Sequence, residues 1–330
     1  MRQDLLRHLA VPLRLTVLAS AIAVLCVEPS LAASNVPPGA GTVGGPQPPA
    51  SNVAHSVRKH FFGGQDCLRA AAAGVVTRND GSPAHGTITL PPGPGLANIV
   101  WAGLYWDVYW SVGGRPVTNA VTLNGIPVAP VAIGTTASPC WNETNATAYF
   151  ADVTGLVDAG PNALAGLDDS GILGVANETP GASLVVVYRS TSSAACEIIV
   201  MDGNDLVAGY SASNVVPVTC GDGVPATLWF IGGDGQAGGD DQIWNGATLG
   251  DHDDFDESDP IEPGGSGYAG WDTDPRSVVT GPPSTATVDG WGDCINWVAT
   301  LMEVGVHPTN TCSPTPTDRG TWGKLKVHYR

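Results

Sequence analysis

Short runs of apolar and β-branched residues alternate with turn-forming clusters along most of the chain. Helical periodicity is scarce, whereas Gly, Pro and Asn-Gly steps are abundant. Short apolar runs bounded by such turn residues are typical of β-strands. The pattern therefore predicts an all-β protein, specifically an antiparallel β-sandwich of jelly-roll-like type with many turns.

Two of these runs are apolar without alternation, which is typical of strands that are buried on both faces. They cover residues 98–106 and 182–188. A third run, residues 196–202, follows the second after a short connection of Ser, Thr and Ala. A connection of this length favours an antiparallel hairpin between the second and third runs.

The second half of the chain echoes the first. Residues 120–128 contain Asn124-Gly125, the pair that a type I′ turn requires, and Pro127 then makes the return strand an edge strand. Residues 242–249 repeat the order of strand, Asn-Gly and strand. Residues 227–231 resemble the strand at 101–106. Residues 294–304 occupy the same place in the order of the second half that residues 184–188 occupy in the first. We predict two related lobes, 57–215 and 216–330, although chance similarity in an all-β chain is the alternative.

The first 33 residues have the pattern of a signal peptide. Arg2, Arg7 and Arg14 precede an apolar run at 15–27, and small residues up to Ala33 suit cleavage. We expect the mature chain to be exported, secreted or held at the cell surface. Residues 34–56 are rich in Pro, Gly, Ser and Ala, which predicts a flexible leader, and no later apolar run is long enough for a membrane span.

Six cysteines remain once Cys26 leaves with the signal peptide, and an even number in an exported protein indicates disulfides. Six cysteines allow about fifteen connectivities. Proximity in the sequence favours Cys196–Cys220 and Cys294–Cys312, which leaves Cys67–Cys140.

The formal net charge of −17 makes nucleic acid an unexpected partner, because phosphate binding needs basic patches. The negative charge is concentrated in residues 234–274, called here the acidic segment, which hold twelve carboxylates and no Lys or Arg. Such a density requires solvation, a divalent cation or a cationic partner.

Ca²⁺ is the cofactor that this composition favours, since it binds six to eight oxygen ligands. The segment does not follow the EF-hand pattern, and a solvated acidic loop is the alternative reading. The predicted metal ligands are Asp240, Asp241, Asp251, Asp253, Asp254 and Asp256.

Aromatic residues lie among these carboxylates, and rings beside polar groups can stack on sugars, although Trp and Tyr more often fill cores. Trp244, Tyr268 and Trp271 are the predicted glycan contacts, with Trp106, Tyr109 and Trp110 as further candidates. No pattern selects a catalytic residue. We therefore expect a non-catalytic module that binds Ca²⁺ and a glycan or partner protein; the alternative is a secreted carbohydrate-active hydrolase that uses carboxylates of residues 234–274.

The order of several short motifs resembles a domain family of unknown function that occurs in exported and cell-surface proteins of bacteria and archaea. The matching stretches are residues 104–106, 121–125, 151–154, 181–188, 199–203 and 292–298. The resemblance covers about residues 61–303. It implies an exported β-sandwich and brings no catalytic residues.

Overall fold

The computed structural model describes twelve parts of the chain. These are residues 52–63, 67–77, 84–92, 98–111, 120–138, 140, 143–168, 177–233, 239–250, 254–255, 259–260 and 270–308. The predicted signal peptide and residues 34–51 of the predicted leader lie outside them, whereas residues 53–56 of that leader form the start of the strand β1 (Val53–Phe62), where they pair with β12 (Glu197–Ala208). Strands and turns account for the described residues, among which there is no helix. Accordingly, the described residues contain no helix that could cross a membrane.

Two five-stranded antiparallel sheets form the centre of the protein. Sheet A has the order β1-β12-β19-β14-β17, formed by β1 (Val53–Phe62), β12 (Glu197–Ala208), β19 (Cys294–Val304), β14 (Pro225–Gly233) and β17 (Trp271–Val279). Sheet B has the order β2-β10-β4-β8-β7, formed by β2 (Leu68–Val76), β10 (Gly181–Arg189), β4 (Ile99–Trp110), β8 (Asn145–Asp152) and β7 (Val131–Ala137).

Two four-stranded sheets and one short ladder complete the described structure. Sheet C has the order β3-β9-β5-β6, formed by β3 (Ala84–Thr89), β9 (Pro161–Leu167), β5 (Thr122–Leu123) and β6 (Ile126–Pro127). Sheet D has the order β13-β18-β15-β16, formed by β13 (Ser211–Val215), β18 (Thr285–Asp289), β15 (Asp241–Trp244) and β16 (Ala247–Thr248). The ladder joins β11 (Ser193–Ala194) to β20 (His307–Pro308).

Three apolar cores lie between these sheets, so the layers follow the order C, B, A, D. The middle core joins sheets A and B, and it includes Trp101, Val185 and Leu301. Leu184 and Val186 of β10 point the other way, into the core between sheets B and C. The predicted double-sided burial of residues 98–106 and 182–188 is therefore confirmed, because alternate side chains of one strand enter two cores.

The two halves of the chain repeat one topology. In sheet B the order β2-β10-β4-β8 matches β12-β19-β14-β17 in sheet A, and sheet C matches sheet D strand for strand. Repeat 1 is thus β2–β10, and repeat 2 is β12–β19. All three sequence equivalences described above agree with this match. The boundary between repeats lies between Arg189 and Glu197, whereas the sequence analysis placed it between residues 215 and 216.

The predicted hairpin between residues 182–188 and 196–202 is wrong. β10 lies in sheet B between β2 and β4, whereas β12 lies in sheet A between β1 and β19. Both strands are apolar on both faces, so each needs a core on either side, and the short connection crosses from one sheet to the other instead of folding back. The prediction that Pro127 marks an edge was correct, since β6 is the last strand of sheet C.

One predicted disulfide is confirmed and two are contradicted. Cys196 and Cys220 are bonded to each other, as expected. Cys140, however, is bonded to Cys294, which excludes the predicted pairs Cys67–Cys140 and Cys294–Cys312. The sandwich brings residues 154 positions apart together, so the nearest cysteine in the sequence was not the partner. Cys67 is disulfide-bonded as well, and Cys312 lies outside the described residues.

Candidate functional site

The acidic segment includes β15, β16 and the first residues of β17, and its residues 249–270 lie in the chain order between β16 and β17, an edge strand of sheet A. In repeat 1 the same place in the chain order, between β6 and β8, holds the edge strand β7. Six of the twelve carboxylates are among the described residues. Of the predicted site residues, Asp240, Asp241, Asp254, Trp244 and Trp271 are described. Asp251, Asp253, Asp256 and Tyr268 lie outside the described residues.

Asp240 fixes a turn within the segment. Its carboxylate is buried, and Oδ1 accepts hydrogen bonds from the backbone N–H groups of Asp254 (2.8 Å) and Phe255 (3.1 Å). The side chain of Phe255 is fully buried in the core between sheets A and D, where its ring meets that of Phe230 edge-on. This predicted ligand therefore has a structural task, which is to hold the turn that inserts Phe255.

Asp254 and Asp274 form a buried ion-pair network with Arg276. A guanidinium nitrogen of Arg276 lies 3.1 Å from Oδ1 of Asp254 and 3.2 Å from Oδ2 of Asp274. Gln242 joins the network, because its backbone N–H donates to Asp254 Oδ2 (2.8 Å) and its Oε1 accepts from Arg276 Nε (2.8 Å). Desolvated carboxylates are retained where charge-assisted hydrogen bonds compensate them.

Arg276 is the functional-site residue that the sequence analysis missed. It lies two residues beyond the acidic segment, and the segment had been defined by its lack of Lys and Arg. The signal that could have found it is the period of two along a strand, which places Asp272, Asp274 and Arg276 on the same face of β17.

Asp259 connects the segment to the edge of sheet B. Its Oδ1 accepts from the backbone N–H of Gly74 in β2 (3.1 Å), and the carbonyl of Pro260 accepts from the N–H of Val76 (3.1 Å). Further along the same strand, Oε2 of Glu303 accepts from the N–H of Ala70 (2.6 Å). The outer edge of β2 is thus covered, which protects it from pairing with another chain.

A chain of hydroxyl groups also leads to Asp259. Trp271 Nε1 donates to Ser183 Oγ, the Ser183 and Thr273 hydroxyls are 2.6 Å apart, and Thr273 Oγ1 donates to Asp259 Oδ2 (2.6 Å). Desolvation of the carboxyl is the main cause that raises the pKa of Asp259 to about 7, and the negative charge of Asp274 adds to it. Asp259 is therefore partly protonated at neutral pH.

The described aromatic residues of the predicted glycan site are not exposed. Trp244 is buried between sheets A and D, and Trp271 is buried between sheets A and B. Trp106 and Tyr109 are buried as well. These four buried rings present no open face for stacking on a sugar, whereas Trp110, the remaining described candidate, is only partly buried.

Trp291 is the exposed tryptophan that the sequence analysis overlooked. Its side chain is 83% exposed, in a turn between two glycines. The N–H of Gly292 donates to the carbonyl of Gly239 (3.0 Å), which ties this turn to the residues just before β15. The flanking glycines were a signal for a turn, and an apolar ring within a turn is the feature that could have drawn notice.

Within the described ranges, no group of three or more His, Cys, Asp or Glu side chains is arranged to hold a metal ion. Asp240 and Asp254 are each engaged with the backbone or with Arg276. Asp241 lies in β15, where it is paired in register with Asp289 of β18. Asp240 and Asp254 thus serve structural contacts, and the backbone of Asp241 is part of sheet D.

No protein-family model, no curated protein and no solved structure matches the chain. The resemblance to an exported domain family stays a prediction.

Proposed function

We propose that the protein is an exported, non-catalytic β-sandwich module that binds Ca²⁺ through its acidic segment and contacts a glycan or a partner protein. The disulfides Cys140–Cys294 and Cys196–Cys220 support an oxidising compartment such as the cell exterior. The overall negative charge favours cations as ligands.

The main support for this proposal is that described residues of the acidic segment are hydrogen-bonded or ion-paired to both central sheets. Asp240 and Arg276 hold Asp254 against sheets A and D, and Asp259 is bonded to β2 in sheet B. The segment is therefore tied to both central sheets. Asp251, Asp253, Asp256 and Glu257 lie in sequence between Gly250 and Asp259, among these fixed points.

A cation is the simplest means of offsetting the remaining charge. Arg276 supplies one positive charge against two carboxylates, Asp254 and Asp274. Carboxylate oxygens that are close in sequence and tied to a rigid scaffold suit Ca²⁺, because it accepts many oxygen ligands in flexible geometry. Binding would fix the segment across the edges of the two sheets.

Thermal unfolding of the mature protein tests this proposal. An ion that binds only the folded state stabilises it by about 2.7 kcal/mol at a hundredfold excess over Kd. We expect millimolar Ca²⁺ to raise Tm, a chelator to reverse the shift, and Asp251→Asn with Asp253→Asn to remove most of it. The matched control is Asp158→Asn with Asp222→Asn, two exposed carboxylates outside the segment. NaCl at equal ionic strength must leave Tm nearly unchanged; an equal shift with NaCl would show screening alone.

One observation favours the alternative function, a secreted carbohydrate-active hydrolase. Asp259, with its pKa raised to about 7, has the protonation that a general acid needs near neutral pH, but to act as one its carboxyl would have to leave Gly74 and Thr273 and reach a substrate. Such an enzyme also needs a second carboxylate across the scissile bond. Hydrolysis of a polysaccharide by the purified protein, abolished in Asp259→Asn, would support the hydrolase over the binding module.

A further inference from the structure

The two Asn-Gly hairpins of the repeats are built alike. Asn124 and Asn245 have φ of 53° and 50°, and each precedes a glycine with positive φ. In each, Oδ1 of the asparagine accepts a hydrogen bond of 2.8 Å from the neighbouring strand, from the N–H of Ala163 in repeat 1 and of Thr285 in repeat 2. The backbone N–H of Asn124 also donates to the carbonyl of Ala163, and that of Asn245 donates to the carbonyl of Thr285. Both amide groups are therefore held in one orientation.

The opposite ends of these two amide groups differ. Nδ2 of Asn124 donates to the carbonyl of Leu156 (2.8 Å) and to Oδ1 of Asn162 (3.0 Å), which is itself buried. Nδ2 of Asn245 donates to no protein acceptor in the part of the chain that the structure describes. Asn245 lines an open depression of the surface of about 330 Å³ together with Gly246, Gly281, Pro282, Pro283 and Thr285, and Asn245, Gly246 and both prolines are exposed.

The side chains that line this cavity restrict the charge and the polarity of a ligand that it could bind. The six lining residues carry no ionisable side chain, so a charged ligand would find no counter-charge among them. They offer a fixed amide donor, a threonine hydroxyl, backbone groups and the apolar rings of two prolines. A pyranose ring matches this set, because it carries hydroxyls that donate and accept and also an apolar C–H face.

We propose that this cavity, the repeat 2 hairpin cavity, binds one neutral pyranose unit of a glycan. Its volume is at the lower end of the roughly 300–1,000 Å³ of ligand pockets, which suits a single sugar ring. In repeat 1 the corresponding amide is consumed by Leu156 and Asn162, so only the second hairpin is available. The inference rests on the proposed binding function for its class of ligand, but it requires neither Ca²⁺ nor the acidic segment.

Titration followed by NMR tests the proposal on ¹⁵N-labelled mature protein. The probes are the methyl glycosides of glucose, galactose, mannose and N-acetylglucosamine, each added to about 50 mM, which would nearly saturate a site with a Kd of about 5 mM. We expect at least one to shift the side-chain amide of Asn245 and the backbone amides of Gly246 and Gly281, with saturation. Absence of saturable shifts there with all four sugars would overturn the proposal.

Two variants locate the binding. Gly281 lies outside the left-handed region, and a Cβ there would sit 3.4 Å from Asn245 Nδ2, so Gly281→Leu places a side chain beside this donor without the cost of a positive φ. Asn245→Asp keeps the acceptor for Thr285 but removes the donor. Each should weaken binding by about tenfold or more, whereas Asn124→Asp in the other hairpin should leave it unchanged.

The controls separate this proposal from the proposed function. The titration is repeated with chelator, and the sugar shifts should persist. If Ca²⁺ stabilises the protein but no sugar binds, only the hairpin proposal fails. If sugar binds without any effect of Ca²⁺, only the calcium proposal fails. A well-dispersed spectrum would show that the Gly281→Leu variant is folded. If this folded variant still bound the sugar with unchanged affinity, the sugar would bind elsewhere, and the assignment to this cavity would be overturned.

Discussion

Repeats 1 and 2 share a strand order but differ at the edge of the central sheet. Repeat 1 places the strand β7 beside β8, paired from Val131 to Ala137 with one register shift between Ala132 and Gly134. At the corresponding point in the chain order of repeat 2, the described residues include Asp254, whose N–H is bonded to Asp240, and Asp259, which is bonded to Gly74 of β2. The strands common to both repeats face cores on one or both sides, whereas an edge position is constrained on fewer sides. The described parts of the two repeats therefore differ at a position where packing restricts the sequence less.

The hairpins provide the same comparison on a smaller scale. Their turn residues are equivalent, yet Asn124 is fully engaged while Asn245 opens onto a cavity. A shared backbone device can therefore be structural in one repeat and available for binding in the other.

The largest expected effect concerns the disulfide between the repeats. Cys140–Cys294 closes a loop of 154 residues, and Cys196–Cys220 closes one of 24. Loop entropy predicts that replacing the first pair with alanine lowers the free energy of unfolding by about 5 kcal/mol, against about 3 kcal/mol for the second pair. Urea unfolding of the two double variants measures the difference. Equal losses would mean that the link between repeats does not constrain the unfolded chain more than the local link does.

Substitution of Arg276 tests whether repeat 2 needs a cation to compensate its buried carboxylates, Asp254 and Asp274. Its counterpart strand in repeat 1, β8, has the sequence NATAYFAD and no basic residue. Arg276→Gln leaves Asp254 and Asp274 without their cation, so we expect a loss of about 3 kcal/mol in the free energy of unfolding. The exposed Lys59→Gln is the matched control and should cost little. Adding Asp274→Asn to Arg276→Gln should recover part of the loss; no recovery would argue against the ion pair as the cause.

Asp259 makes the acidic segment sensitive to pH. Its pKa is raised to about 7 in the folded protein, so the folded state binds a proton more tightly than the unfolded state. Its contribution to stability is therefore fully present below the ordinary pKa of about 4 and is lost as pH rises through 7. Between pH 5 and 7 we expect the free energy of unfolding to fall by about 2 kcal/mol more in the wild type than in Asp259→Asn. Parallel curves for the two proteins would remove this residue from the pH dependence.

The smallest expected effect is the difference in free energy of unfolding between equivalent substitutions in the two Asn-Gly hairpins. Asn124→Asp loses the donors to Leu156 and Asn162 and should cost about 1–2 kcal/mol. Asn245→Asp keeps the hydrogen bond from Thr285 and loses no described protein partner, so its cost should stay below about 0.5 kcal/mol. Thermal unfolding of both variants gives the comparison. A similar cost at the two sites would mean that the hairpins are energetically equivalent.

Local patterns in the sequence determined much of the fold. Continuous apolar runs predicted the doubly buried strands β4 and β10, Asn-Gly steps marked both hairpins, and similarity between the halves indicated the repeat. These features depend on residues that are close in the sequence, because the conformational preference of each residue and the period of the apolar positions can be identified from the sequence alone. The strands therefore could be assigned before any pairing was known.

Only the tertiary structure decided which distant residues meet. It paired Cys140 with Cys294, separated β10 from β12 into different sheets, buried Trp244 and Trp271, and brought Arg276 to Asp254. Each of these contacts joins strands from different positions in a layered stack, and a run that is apolar on both faces does not specify which sheet it enters. The sequence alone determined strands, turns and the concentration of acidic charge; the packing of sheets decided which carboxylates became structural and which surface remained open.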